Sequence, residues 1–231
     1  MKLKLGNLIG GLVLIVGIAA VGVYYFLPKD FLQLSNQATD YFTLTVMKDG
    51  LTEEEIKDYQ DEFDLIVAEI QSNADYVNPW FELARVKKYV GDYRGAEAAL
   101  LKAGEIRPNN STSFTNLADL YANFLGEYDK AEGSYKTAIR NSLGEWGNDR
   151  LYREYAYFAE NHLKDLDKAE QVLIEGLENN SQSFDLAVYL ADFYKRQGDK
   201  DNALKYYFEA LKIDPADEGA NQEITNLQNA R

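Results

Sequence analysis

Apolar positions along this chain fall into one unbroken run, followed by helical spacing to the end. From Leu8 to Leu27, 20 consecutive residues are uncharged and mostly apolar. Beyond residue 30 the apolar positions Phe31, Leu34, Ala38, Phe42 and Val46 recur every three or four residues, the period of an amphipathic helix. Lys48-Asp49-Gly50 breaks that stripe, as a charged, glycine-containing turn does. A second stripe, Tyr59, Phe63, Ile66, Val67 and Ile70, follows Thr52 and Glu55, which stand at the spacing of a capping box. Residues 30–76 are therefore expected to form a helical hairpin. From residue 77 onward, helix-length stripes alternate with turns, and no run alternates apolar and polar residues as a half-buried strand would.

As a helix rising about 1.5 Å per residue, the first run would cross roughly 30 Å of hydrocarbon, so residues 1–29 are expected to be an N-terminal transmembrane anchor. Tyr24, Tyr25 and Phe26 stand at its end and Pro28 follows, the places for headgroup-level rings and a helix stop. Lys2 and Lys4 precede the run, whereas Lys29 is followed at once by Asp30. The positive-inside bias then places the N-terminus in the cytoplasm and the bulk of the chain outside it, in a periplasm or at a cell surface. A cleaved signal peptide is the competing reading, because Ala20-Val21-Gly22 offers small residues to a peptidase. It would leave a soluble exported protein. The length of the run favours the anchor.

The region after residue 76 repeats itself. In Phe184–Pro215, counting from Ala187, come Leu190 and Ala191, then Tyr194, Gly198, Ala203, Tyr207, Ala210 and Pro215. From Trp80 the same offsets land on Leu83, Ala84, Gly91, Ala96, Leu100, Ala103 and Pro108, with Lys87 where an aromatic is expected. Phe114 begins another copy with Leu117, Ala118 and Tyr121, and one extra residue near Leu125-Gly126-Glu127 shifts the rest to Ala131, Tyr135 and Ala138. A further copy reads Tyr152, Tyr155, Ala156 and Ala159, then, after an extended turn at His162 to Asp165, Ala169, Leu173 and Gly176, without the turn glycine or the closing proline. Start-to-start distances are 34, 38 and 35 residues, and Ser142 to Asn148 holds most of the irregularity.

This order of large, small and turn residues resembles the tetratricopeptide repeat. The resemblance implies an all-α fold: a right-handed α-solenoid of about four helix-turn-helix repeats, over 77–110, 111–145, 149–182 and 184–217. Small residues face one another where the two helices of a repeat cross, and stacked repeats share one core. Residues 30–76 lack the small-residue pattern, since the position of Ala203 falls near Glu62. They are expected to cap the solenoid, a strongly degenerate fifth repeat being the alternative. Residues 216–231, with Ala220, Ile224 and Leu227 on one face and Asn221, Gln222, Glu223 and Asn226 on the other, fit a terminal capping helix.

Charge narrows the partners. The chain has 24 Lys+Arg against 38 Asp+Glu, for a net charge of -14, and residues 1–29 hold three lysines and no acid. A surface this acidic repels phosphate backbones, so nucleic acid is not expected as a ligand. There is no cysteine and one histidine, His162, which is expected in a solvated turn. Asp165-Leu-Asp167 and Asp199-Lys-Asp201 resemble the start of a calcium loop but lack its third ligand, its glycine and its glutamate, so they are expected to start helices. Asn109, Asn110 and Asn179 meet the N-x-[ST] rule, which matters only in a eukaryotic secretory route. No Gly-rich phosphate loop and no nucleophile–base pair stands out; neither enzymatic activity nor a cofactor is expected.

In the family this chain resembles, the first helix of each repeat lines a concave groove. The resemblance assigns Phe81, Arg85, Lys88 and Tyr89 to the groove in the first repeat, and Asn116, Asp119 and Asn123 in the second. Arg150, Arg153, Glu154 and Tyr157 follow in the third, and Asp185, Tyr189, Asp192, Lys195 and Arg196 in the fourth. Chaperone-binding members hold a terminal carboxylate with Lys, Asn, Asn, Lys and Arg. Here Asn116 and Arg150 preserve two of those positions, but Phe81, Arg85 and Glu154 depart from the rest. The expected function is a membrane-anchored scaffold or adaptor binding a protein segment, as an accessory or chaperone-like factor in assembly of an envelope or membrane complex. A permanent subunit of a larger membrane assembly is the alternative.

Overall fold

A computed structural model describes residues 41–145 and 147–229. The expected transmembrane anchor at 1–29 and the start of the hairpin before Tyr41 lie outside them. The described residues form ten α-helices: α1 (Glu53–Ser72), α2 (Asn78–Tyr89), α3 (Tyr93–Ile106), α4 (Ser111–Leu120), α5 (Tyr128–Asn141), α6 (Asp149–Phe158), α7 (Leu166–Asn179), α8 (Phe184–Gln197), α9 (Lys200–Ile213) and α10 (Glu218–Asn229). Two π-turns, Tyr121–Leu125 and Ala159–Leu163, extend α4 and α6. Among the described residues there is no strand, and no helix is long and apolar enough to cross a membrane. The chain divides into two compact units, the first ending at Lys102 and the second beginning at Ala103.

In the first unit, Thr52 caps α1 with both halves of the capping box: Glu55 N donates to Thr52 Oγ1 at 3.2 Å, and Thr52 N donates to Glu55 Oε2 at 2.8 Å. α1 packs on α2 and buries Phe63, Ile66 and Ile70. The described end of the stripe expected to be helical is not: Thr43 to Lys48 form no helix. This segment instead lies on the turn after α2, where Met47 N and Lys48 N both donate to Val90 O at 2.8 Å. Gly91 permits that approach, because its φ is +85° and a Cβ there would stand 2.9 Å from Lys48 N. At Phe42 and Val46 the helical spacing does not report a helix, because two apolar positions four residues apart can also fall on a non-helical strap.

Lys87, the residue that departs from the repeat pattern, is the other anchor of the strap. Its side chain is 1% exposed. The ammonium donates to Asp92 Oδ2 at 3.0 Å and to Thr43 O at 2.7 Å, and sits 5.5 Å from the centre of the Phe63 ring. Asp92 in turn accepts from Gly95 N at 2.8 Å. The residue at 95 must be glycine, because a Cβ would meet the Asp92 carboxylate at 2.1 Å.

In the second unit, α4 packs on α5, α6 on α7 and α8 on α9, and α10 packs on α9. Ala118, Ala131 and Ala138, then Ala156 and Ala169, then Ala191, Ala203 and Ala210 are at most 1% exposed, as close helix crossings require. In the third copy Gly176 takes the place of an alanine, because a Cβ there would stand 2.7 Å from the Tyr152 ring. On α10, Ala220 and Ile224 are buried, while Glu223, expected to face outward, is half-buried and accepts from Lys195 Nζ at 2.7 Å.

The irregular turns have one physical form. After α8 the closing hydrogen bond runs from Asp199 N to Tyr194 O, five residues back. After α4 and α6 it runs from Glu127 N to Tyr121 O and from Asp165 N to Ala159 O, six residues back, each at 3.0 Å. The extra residue assigned to the turn thus sits inside a π-turn, and both helices end on a left-handed residue: Gly126 (φ 66) and, in the copy without a glycine, Lys164 (φ 57). Asp165 and Asp199 cap α7 and α9, accepting from Lys168 N at 2.9 Å and Asn202 N at 3.1 Å.

Candidate functional site

The first helices of the second unit carry polar residues on the face next to their packing stripe, and that offset brings these residues together. Thr115, Asn116 and Asp119 of α4, with Asn123 of the following π-turn, meet Arg150, Arg153, Glu154 and Tyr157 of α6 and Tyr189 of α8 around a pocket of about 530 Å³. Eight residues expected in the groove line it: Asn116, Asp119, Asn123, Arg150, Arg153, Glu154, Tyr157 and Tyr189. Tyr135 closes one wall from α5; its ring stacks on Tyr155 at 5.4 Å. Sequence reasoning assigned Tyr135 to the core, and it is 6% exposed. Nothing in its spacing signals that it also reaches a pocket.

A second pocket of about 520 Å³ adjoins the first, with Arg150 and Arg153 forming the shared wall. Glu145, Gly147 and Asp149 line one side, and Asn180, Gln182, Ser183, Phe184 and Asp185 the other. Only the irregular stretch Ser142 to Asn148 hinted at it in the sequence. Asn148 ties the start of α6 to the end of α5: it is 4% exposed and donates from Nδ2 to Ser142 O at 3.0 Å.

The positive charge at these pockets is engaged within the chain. Arg150 pairs with Glu154 at 3.3 Å. Arg153 lies 3.4 Å from Asp185 and 3.7 Å from Asp149, and its buried Nε has no hydrogen-bond partner. Burial pushes the Glu154 carboxyl above its usual range; Arg150 and Arg153 oppose the rise and Asp119 adds to it. Burial likewise raises the Tyr135 hydroxyl, and the charges of Glu154 and Asp119 reinforce it. Asn123 Nδ2 donates to Asp119 Oδ1 at 2.8 Å.

The other expected groove residues lie elsewhere. Lys195 pairs with Glu223, and Arg196 forks onto Glu160 at 2.8 and 3.3 Å while its guanidinium lies 5.8 Å from the Tyr189 ring. Asp192 accepts from the Tyr207 hydroxyl. In the first unit, Arg85 bonds Glu62 and Glu82, Tyr89 stacks on Tyr59 at 6.1 Å and is 48% exposed, and Phe81 and Lys88 are half-buried. His162, expected in a solvated turn, is half-buried among aromatic rings, 5.7 Å from Phe158 and 5.6 Å from Tyr128. Among the described residues, no three His, Cys, Asp or Glu side chains are grouped to hold a metal ion.

Residues 113–145 and 188–217 match models of the tetratricopeptide repeat. Three solved structures have the same fold. MamA is similar with a TM-score of 0.51 at 16% identity, over 72% of this chain and 96% of that one. MamA residues 41 to the end, from Desulfovibrio magneticus RS-1, gives a TM-score of 0.51 at 12% identity, over 69% and 88%. PilW, a widely conserved type IV pilus biogenesis factor, gives 0.51 at 14% identity, over 76% and 80%. Among curated proteins none matches the chain. The described fold is thus an all-α helical repeat like that of tetratricopeptide-repeat proteins, and folds of this kind serve in general to bind proteins or peptides.

Proposed function

We propose that this protein is a membrane-anchored scaffold whose second unit binds a protein partner through the pockets on α4, α6 and α8. The carrying observation is the convergence of polar and aromatic side chains from three successive first helices on one pocket, with Asn116, Asn123, Arg150 and Tyr157 exposed. Core packing does not need them: Tyr157 is 54% exposed, and a large exposed ring beside amides and guanidiniums suits peptide recognition. The apolar run Leu8–Leu27 would confine this surface to a bilayer and raise its effective concentration toward other membrane or envelope proteins. With that layout goes, in this reading, a periplasmic or cell-surface placement and an accessory or chaperone-like role in assembly. PilW, of similar fold, is described as a pilus biogenesis factor, a role of the same kind.

Crosslinked membranes provide the test. A variant carrying Arg150→Glu and Tyr157→Ala, both at exposed positions, is expected to lose or change the proteins recovered with the chain. Recovery of an unchanged set refutes the pocket as the partner site. A single stoichiometric complex unaffected by the variant favours the alternative of a permanent subunit.

A further inference from the structure

The polar groups around the pocket on α4, α6 and α8 divide into those the chain has engaged and those it has left open. The charged groups are engaged. Arg150 pairs with Glu154 at 3.3 Å, Arg153 lies 3.4 Å from Asp185 and 3.7 Å from Asp149, and Asp119 accepts from Asn123 Nδ2 at 2.8 Å. An incoming charge of either sign would have to break into one of these pairs.

Tyrosine hydroxyls show the same division. Those on the packing stripes of the second unit are bonded inside the chain: Tyr155 donates to Glu132, Tyr194 to Glu170 and Tyr207 to Asp192, while Tyr152 accepts from Asn179. Tyr157 and Tyr189 line the pocket instead, and among the described residues neither hydroxyl has a hydrogen-bond partner. The exposed side-chain amide of Asn116 is open in the same way. Three uncharged groups able to donate thus stand beside two aromatic rings.

That combination selects an uncharged ligand rich in acceptors. Proline has no N–H, and in the polyproline II conformation the backbone makes no internal hydrogen bonds, so its carbonyls are free to accept. Pyrrolidine rings fit against aromatic faces, and the preformed conformation lowers the ordering cost of binding. An ordinary extended peptide would bring an N–H at nearly every residue to a wall whose carboxylates are already engaged.

We infer that the pocket takes a proline-rich segment in the polyproline II conformation, its rings against Tyr157 and Tyr189 and its carbonyls accepting from their hydroxyls and from Asn116 Nδ2. This inference rests on the pocket being the partner site, and it narrows the partner to one whose contacting segment is uncharged.

Fluorescence anisotropy of the full chain in an uncharged detergent tests it with two blocked, labelled decapeptides, decaproline and alternating glycine and serine. Decaproline is expected to bind at least about ten-fold more tightly, because it is preordered and carries the rings. Its Kd should change less than about two-fold from about 50 to about 500 mM NaCl, since no charge pair forms on binding. Tyr157→Phe and Tyr189→Phe keep the rings and should each weaken decaproline about three- to ten-fold, the scale of a neutral hydrogen bond, with unchanged circular dichroism. Equal binding of the two peptides overturns the inference, as does an affinity for decaproline that collapses with salt. If both phenylalanine variants bind decaproline as the native chain does, the inference also fails. The partner-site reading has its own test: if membrane partners are lost with Arg150→Glu and Tyr157→Ala but their contacting segments hold no proline run, that reading stands and the proline-rich ligand does not.

Discussion

Neutralising Asp92 should be among the most damaging single changes in the first unit. The Lys87 ammonium, on a side chain 1% exposed, has Asp92 as its counter-charge at 3.0 Å and the Thr43 carbonyl at 2.7 Å as a further partner. Asp92→Asn keeps the shape and can still accept from Gly95 N, but it strands a buried cation. Removing one partner of such a pair costs about 3–5 kcal/mol. Because the Thr43 carbonyl and the Phe63 ring still face the ammonium, the lower end, about 3 kcal/mol, is expected. Lys87→Met combined with Asp92→Asn removes both charges and both desolvation costs, so the double variant should lie within about 1 kcal/mol of the native chain. Equilibrium urea unfolding followed by circular dichroism measures all three. Hydrogen exchange at the Met47 and Lys48 amides reports the strap, and Lys87→Met should speed it by removing the bond to Thr43. The reasoning is wrong if Asp92→Asn costs less than about 1 kcal/mol, or if the double variant is as unstable as the single one.

Three further outcomes are expected. Lys164→Gly should stabilise the second unit by about 0.5–1 kcal/mol in thermal unfolding, because relief of a left-handed backbone exceeds the added unfolded-chain entropy. Gly176→Ala should destabilise by about 1–3 kcal/mol despite alanine's helix preference, since the new methyl meets the Tyr152 ring at 2.7 Å; a gain in stability would contradict the packing. Burial would raise the Glu132 carboxyl, but hydrogen bonds from Lys136, Lys168 and Tyr155 outweigh it and lower it to about 2. Its contribution, about 1–3 kcal/mol, is therefore complete above roughly pH 5 and is lost as pH falls through 4.5 toward 2. Glu132→Gln should remove that part of the acid slope in urea titrations between pH 2 and 6.

The repeat copies were legible because small residues at helix crossings and left-handed glycines are demanded by geometry, and Ala191, Gly198 and Ala203 stand where that geometry requires. The departures were visible as departures but not in their form. Lys87 broke the pattern, yet its partners Thr43 and Asp92 come from a strap and a turn that no local period encodes. The extra residue near Leu125 was counted correctly, but a π-turn and a longer loop give the same count. Half of the expected groove residues line the pocket, and Lys195 and Arg196 instead pair with Glu223 and Glu160, 28 and 36 residues away. Such pairings depend on how successive helices stack. The second pocket depends on the loop before α6 for the same reason.

The account turns on whether the pocket on α4, α6 and α8 is where a partner sits. A photo-crosslinking amino acid placed at Tyr157, on the pocket, and separately at Phe208, which is 46% exposed on α9, compares that face with another exposed aromatic position. The account predicts a covalent adduct with a partner protein from position 157 and none from position 208. Adducts from position 208 with none from 157 would contradict it.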